Sequence, residues 1–267
     1  MRPIRYAATA VLVAVGLAVS ACQSPGMQEL AATHALRLET VRDPLPMRLL
    51  HRAPDDDIET LRLYISGDGM PWRDGQPTNN PTGSRLPLGL KLFLRDPDAH
   101  GYIGRPCYHF NGALPPGCVN TLWTSQRYSE DVVAALTGQI RLLAQRYDRQ
   151  AIELIGHSGG GTLALLVSSR MAEVTRVITV AALLDPDAWV AFHDLLPLPG
   201  SLSPMTRPRL LHTDEVHFMG GEDDVVPPAL ARDYQQRYPQ ARLMIIEGFE
   251  HRCCWESHWP DLLQRAD

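Results

Sequence analysis

Gly156-His157-Ser158-Gly159-Gly160 decides how this chain is read. The pentapeptide follows a short apolar run, residues 151–155, and precedes residues 161–171, which can be helical. A Gly-x-Ser-x-Gly sequence between a strand and a helix sets its serine on a turn too tight for ordinary backbone angles, so the hydroxyl projects into a cleft. Gly156 and Gly160 lack Cβ atoms, which lets strand and helix close around that turn. The helix that begins here directs its free N–H groups and positive end at the same cleft. The N–H of Gly159, the residue after the serine, is therefore a candidate donor to an oxyanion. The same five residues can also form a plain glycine-rich turn; the strand before and the helix after argue against that.

The rest of the chain bounds what such a serine can serve. Its 267 residues suffice for one α/β domain with a full core, and 45% apolar with 21% charged residues is the composition of a soluble globular protein. A net charge of −5 with no basic cluster argues weakly against nucleic acid as the partner, and none is expected. The N-terminus reads as a targeting segment. Arg2 and Arg5 precede an apolar run, residues 7–19, that is short for a membrane span. It ends in Val19-Ser20-Ala21-Cys22, which resembles a bacterial lipobox. That resemblance implies a signal peptide over residues 1–21, with Cys22 as the first mature residue and the site of lipidation. Residues 22–35 are then a tether and 36–267 the domain. Loss of Arg2 and Arg5 moves the formal charge from −5 to −7. Gln23, rather than Asp, after the cysteine implies the periplasmic side of the outer membrane of a bacterial cell envelope.

Export alters how the remaining cysteines read. Cys107, Cys118, Cys253 and Cys254 sit in an oxidising compartment, where disulfides form. Cys107 and Cys118 enclose a short Gly/Pro-rich loop and are the preferred pair. Cys253 and Cys254 are adjacent, and the sequence leaves open whether they bridge each other, stay reduced or pair elsewhere. They lack the C-x2-C spacing that a zinc site with His251 and His258 needs, so neither metal nor cofactor is expected.

Along the chain, strands are expected at 36–41, 47–51, 60–66, 101–104, 152–155, 176–182, 216–219 and 242–247. Helices are expected at 88–94, 129–143, 161–171, 227–238 and 259–265. Residues 72–86 read as a polar loop and 185–208 as a Pro- and Trp-bearing excursion, a small cap. Strands that alternate with helices, several of them unbroken apolar runs, indicate a mostly parallel sheet covered on both faces. The five tryptophans, Trp72, Trp123, Trp189, Trp255 and Trp259, can line a pocket, but core positions are the default for most.

A serine hydroxyl is a weak nucleophile until a base takes its proton, and the base is commonly a histidine oriented by a carboxylate. Downstream of Ser158, Glu222, Asp223 and Asp224 stand together after a strand that ends in two glycines. Asp185 follows the preceding strand. His251 lies just past the last strand, and His258 lies near the start of the last helix.

Several segments together resemble the α/β-hydrolase superfamily: the pentapeptide, Asp223 before Val225-Val226-Pro227, and His251. More narrowly, the chain is similar to a group of bacterial, often lipoprotein, α/β-hydrolases of poorly defined substrate. This likeness rests on Tyr64-Ile65-Ser66-Gly67-Asp68-Gly69 followed by Trp72, on Arg105-Pro106-Cys107-Tyr108, on Trp123-Thr124-Ser125-Gln126-Arg127-Tyr128, and on His217 through Pro228. The resemblance implies an α/β-hydrolase fold whose catalytic residues follow in the order Ser, acid, His. The spacing Gly220-x-x-Asp223-x-x-Val226-Pro227 is a common setting for the acid, which favours Asp223 over Asp185; His251, just past the last strand, is favoured over His258, whose place near a helix start suits a capping or surface role. The loop after the third strand supplies a second oxyanion donor in this fold, here the N–H of Asp68 alongside Gly159, with the Asp68 carboxylate expected to point away into hydrogen bonds. His157 fills a variable position and need not act; it and His217 can be satisfied structural histidines. The implied activity is a serine hydrolase on a carboxylic ester or similar acyl substrate, small or lipid. The other readings are an acyltransferase, or a silent envelope lipoprotein that binds a lipid or protein on the same scaffold.

Overall fold

The computed structural model describes residues 26–110, 112–208 and 212–266. The expected signal peptide and the lipidation site Cys22 lie outside the described residues. The elements run α1 Met27–Thr33, β1 Arg37–Val41, β2 Met47–His51, β3 Thr60–Ile65, β4 Trp72–Arg73, β5 Gln76–Pro77, α2 Leu88–Arg95, β6 Gly101–Ile103, α3 Glu130–Arg146, β7 Ala151–His157, α4 Gly159–Ser168, β8 Val174–Val180, α5 Pro186–Phe192, β9 Asp214–Gly220, α6 Arg232–Arg237, β10 Arg242–Ile246 and α7 Trp255–Ala266.

Eight strands form one sheet in the order β1-β2-β6-β3-β7-β8-β9-β10. The pairs β1–β2 and β2–β6 are antiparallel; every other pair in this sheet is parallel. The fold is α/β, with helices on both faces. Alternation along the central strands makes the two cores. Leu61, Leu63 and Ile65 of β3 and Ile152 and Leu154 of β7 point to one core, shared with α3 and α4. Tyr64, Ile155, Ile178 and Phe218 point to the other, under α1, α2 and α7. Both faces of each central strand are covered, which is why these segments read as nearly unbroken apolar runs.

Local chemistry places the helices. Ser129 caps α3 by accepting from the N–H of Val132, and Glu130 and Asp131 occupy its first turn. All ten residues of α4 are buried, so this helix is a core element with no solvent face. The helix expected at 227–238 begins as a tight turn over Pro228–Ala231 before α6. Helix α7 starts four residues before the expected 259, at Trp255. Trp255 and Trp259 are fully buried, and the Trp259 indole donates to the Tyr64 hydroxyl at 2.8 Å.

Two loops hold more order than expected. Part of the stretch read as a tether is the helix α1, which buries Met27, Leu30 and Ala31 in the second core. The expected loop 72–86 contains the hairpin β4–β5, closed by Asp74 and Gly75 at φ 50° and 74°, the positive angles that a two-residue hairpin turn requires. Cys107 is bridged to Cys118, and Cys253 to its neighbour Cys254.

Candidate active site

The parallel strands end level with one another. Ile65 pairs with Gly156, His157 with Val180, Val180 with Phe218, and Gly220 with Ile246. The loops leaving β3, β7, β9 and β10 therefore emerge on one edge of the sheet, and these loops carry Asp68, Ser158, Asp223 and His251.

Ser158 sits between β7 and α4 at φ 54°, ψ −131°, backbone angles that an L-residue holds only when its surroundings impose them. Its N–H donates to the Val180 carbonyl at 2.8 Å, and its own carbonyl accepts from Gly161 at 2.9 Å. A Cβ on Gly156 would stand 2.3 Å from the Gly160 carbonyl, so strand and helix can meet here only without one.

His251 completes a relay. Its Nε2 lies 3.2 Å from Ser158 Oγ and its Nδ1 lies 2.9 Å from Asp223 Oδ2. Asp223 is held in turn: its Oδ1 accepts from the N–H groups of Val225 at 2.9 Å and Val226 at 2.7 Å. These bonds leave Oδ2 aimed at the histidine. Glu222 and Asp224 are exposed. Asp185 caps α5, accepting from the N–H groups of Asp187 and Ala188. His258 is exposed on α7 and turned to the Cys254 carbonyl and Ser257. Neither Asp185 nor His258 joins the relay.

Beside the start of α4 the partly buried Asp68 carboxylate sits in a cage of donors. Oδ1 accepts from Arg105; Oδ2 accepts from Arg127 at 3.2 Å and from the Tyr128 hydroxyl at 2.6 Å. The Tyr108 hydroxyl donates to the Asp68 carbonyl at 2.8 Å. Burial opposes the carboxylate's charge, but the two guanidiniums and the Tyr128 hydroxyl outweigh it and hold Asp68 below the usual carboxylate range. Burial pushes the Tyr108 hydroxyl up to about 12, so it stays a donor. This carboxylate also abuts the first residue of α4: a Cβ on Gly159 would lie 1.9 Å from Asp68 Oδ1. Gly159 is thus required by its neighbour as well as by its turn.

A parallel sheet with a strand–serine–helix turn at its centre, and an acid and a histidine on later strand ends, has close structural counterparts. No family model matches the sequence, and no curated protein is significantly similar to it. Solved structures do match. An esterase of Pyrococcus furiosus superposes with a TM-score of 0.59 at 12% identity, covering 88% of this chain and 92% of that one. A serine hydrolase homologue from Coxiella burnetii gives 0.55 at 13%, covering 86% and 95%. A membrane phospholipase A described as a bacterial virulence factor gives 0.54 at 14%, covering 89% and 91%. The chain has the α/β-hydrolase fold.

Within that α/β-hydrolase fold, one structural histidine near the relay has a partner that its place in the sequence does not reveal. His157, read as filling a variable position, is buried and points its Nε2 at the His251 carbonyl, 3.0 Å away. A carbonyl only accepts, so His157 donates. Burial, and then the nearby charge of His251, lower its pKa to about 3, which keeps it neutral. His157 therefore fastens the backbone of the loop that carries His251. Likewise the segments around Arg105 and Arg127 stand out in the sequence, but their hold on Asp68 does not. Nothing local signals either role, because each depends on where a distant loop arrives.

The excursion 185–208 bridges the site. The Trp189 indole donates to the Val225 carbonyl at 2.7 Å, and His193 Nε2 contacts the same oxygen at 2.8 Å. At its far end Ser201 donates to the Ser125 carbonyl at 2.8 Å, and the Leu202 N–H to that of Tyr128 at 2.9 Å. The cap thus runs from the turn holding Asp223 to the segment holding Asp68.

Proposed function

We propose that this protein is a serine hydrolase of carboxylic esters or similar acyl compounds, held by a lipid on Cys22 in a bacterial cell envelope. One observation carries the reading: Ser158, His251 and Asp223, from three separate loops, meet in hydrogen bonds of 3.2 and 2.9 Å. In the proposed reaction Ser158 Oγ attacks the acyl carbon while its proton passes to His251 Nε2. Asp223 holds the imidazole by Nδ1–H and stabilises the imidazolium. The oxygen that gains charge is met by the N–H groups of Gly159 and Asp68. Gly159 opens α4, where N–H groups have no partner within the helix. His251 returns the proton to the leaving alcohol; water then repeats the sequence on the acyl-enzyme and frees the acid. A silent binding protein has no need of a serine held at positive φ opposite a histidine–aspartate pair.

The test is labelling by a fluorophosphonate probe, followed by turnover of p-nitrophenyl esters of graded chain length. Wild type is expected to label and Ser158→Ala to remain dark. An unlabelled wild type, or equal labelling of both, rejects the assignment. The anchor is tested separately, by an acyl mass increment on Cys22 in protein from the native membrane; a mature form starting elsewhere removes it.

A further inference from the structure

Among the described residues, the large apolar side chains left exposed gather at one end of the molecule. Met70 and Trp72 follow β3; Phe192, Leu195 and Leu196 belong to the cap after β8; Val225 lies in the turn after β9. Val119 in the long segment between β6 and α3, Leu142 in α3 and Ile245 in β10 are the three exceptions. All six stand in the segments that follow the carboxyl ends of parallel strands, Trp72 in β4 and Phe192 at the end of α5, on the edge that carries Ser158. Scattered exposed apolar residues are ordinary; a set of them around one cleft is not. Trp72 is 47% exposed at the base of the β4–β5 hairpin, and Leu196 is 85% exposed. The Phe192 ring packs edge-on against His193, centroids 4.9 Å apart, and His193 contacts the Val225 carbonyl. Phe192 and Val225 are therefore parts of one surface.

The chain's own start says what meets this rim. Gly26 and Met27 line a cavity of about 350 Å³ together with Asn80, Thr82 and Gly83. The same loop cradles Met70, whose N–H donates to the Pro81 carbonyl at 2.7 Å and whose Cβ lies against Gly83. Gly26 and Met27 thus lie against the loop that holds the exposed Met70, two residues before Trp72. Cys22 lies only four residues before Gly26, a reach of at most ~15 Å when fully extended.

We infer that this apolar rim docks on the bilayer that holds the Cys22 lipid, so that the Ser158 cleft opens onto acyl chains at the membrane surface. The inference rests on the anchor proposed above. Tryptophan and leucine at the rim suit the boundary between headgroups and acyl chains. Exposed Asp187, Asp194, Glu222 and Asp224 flank the cap and oppose an anionic surface, so the matching lipid is zwitterionic.

The experiment uses the acylated protein purified from its native membrane and reconstituted into phosphatidylcholine vesicles with brominated acyl chains. Bromine is expected to quench tryptophan emission in wild type, and Trp72→Phe to remove that quenched component. Trp72→Ser/Leu196→Ser is expected to lose about tenfold in turnover of a vesicle-borne ester, as two large apolar side chains leave the boundary. Its turnover of soluble p-nitrophenyl acetate should be unchanged, which also shows that it folds. Equal quenching in wild type and Trp72→Phe, with equal vesicle turnover in wild type and the double variant, overturns the docking. So does a dimer in detergent that the double variant abolishes, which assigns the rim to a second copy. An unacylated Cys22 removes the anchor and the inference with it. A wild type inactive on both esters removes only the hydrolase reading, since quenching still decides the docking.

Discussion

Replacing Asp68 with alanine tests whether the donor cage is held together by that one carboxylate. The Arg105 and Arg127 side chains are only 1% and 7% exposed, and both guanidiniums converge on Asp68. Without it two buried cations are left with no counter-charge, and the Tyr128 hydroxyl loses its acceptor. Breaking a buried ion pair from one side costs about 3–5 kcal/mol, because the orphaned charge stays desolvated. Removing a cation as well, in Asp68→Ala/Arg105→Met, should return part of that cost. Arg127 keeps the bond from its Nε to the Thr124 carbonyl, and the methionine fills much of the volume of Arg105. The double variant is expected to sit about 2 kcal/mol above the single one. Urea denaturation followed by circular dichroism measures both. Ester turnover should fall ten- to a hundredfold in Asp68→Ala through kcat, with KM held, since the lost precision lies at the oxyanion donor. A single variant that costs less than ~1 kcal/mol, or a double variant less stable than the single, refutes the reasoning.

Four further outcomes follow from the same geometry. Asp223→Asn should lower kcat by about 10⁴, whereas Asp185→Asn, which keeps the cap of α5, should leave turnover within twofold; the reverse result in an ester assay moves the acid to the earlier strand. His157→Ala strips a donor from the His251 carbonyl at a cost of about 1–3 kcal/mol and should lower kcat, while His157→Gln, which can still donate, should recover most of both. Burial, helped by the charge of Arg48, lowers the His109 pKa to about 4, as burial and His251 take His157 to about 3. Both bind protons from 6.5 downward once unfolded, so the stability they contribute is complete above 6.5 and shrinks as pH falls. At pH 5 the loss is roughly 2 kcal/mol for each, and a urea midpoint equal at pH 7 and pH 5 contradicts it. Cys107→Ser/Cys118→Ser opens a loop of sequence separation 11 and should cost about 3 kcal/mol in the same assay.

The central turn was legible because its chemistry restricts composition: glycines on both sides of the serine are set by steric contact within the turn itself. Asp223 and His251 were legible because strand ends leave marks, two glycines before one and Gly248 before the other. The sheet was legible because both faces are covered, which writes apolar runs into β3, β7, β8 and β9. Strand β7 runs past the expected 155 to His157, because Gly156 and His157 read as turn yet remain in the ladder, and β8 starts and ends two residues before the expected 176–182. Helix α1 carried a signal that passed unread, Met27, Leu30 and Ala31 at helical spacing, but seven residues are too few for a period to stand out. The early start of α7 was hidden because Cys253-Cys254-Trp255 looks like loop until the tryptophan is seen buried. Long-range roles leave no local mark. Arg105 and Arg127 stand in segments that the sequence singles out, but only the arrival of Asp68 from another loop shows what they hold.

The bond from His157 to the His251 carbonyl has a mechanical consequence. Two strands, β8 and β9, separate β7 from β10 in the sheet, roughly 14 Å at ordinary strand spacing. The loop after β10 folds back over their ends to reach His157, whose peptide neighbour is Ser158. Ser158 and His251 thus share an attachment point at the end of β7, in addition to the bonds that tie the His251 loop to the turn after β9. When the sheet twists or breathes, the end of β7 carries both in the same direction. Their separation is then governed by these short hydrogen bonds and a few covalent links, and sheet motions large enough to disturb a pocket wall pass through this pair as a common translation.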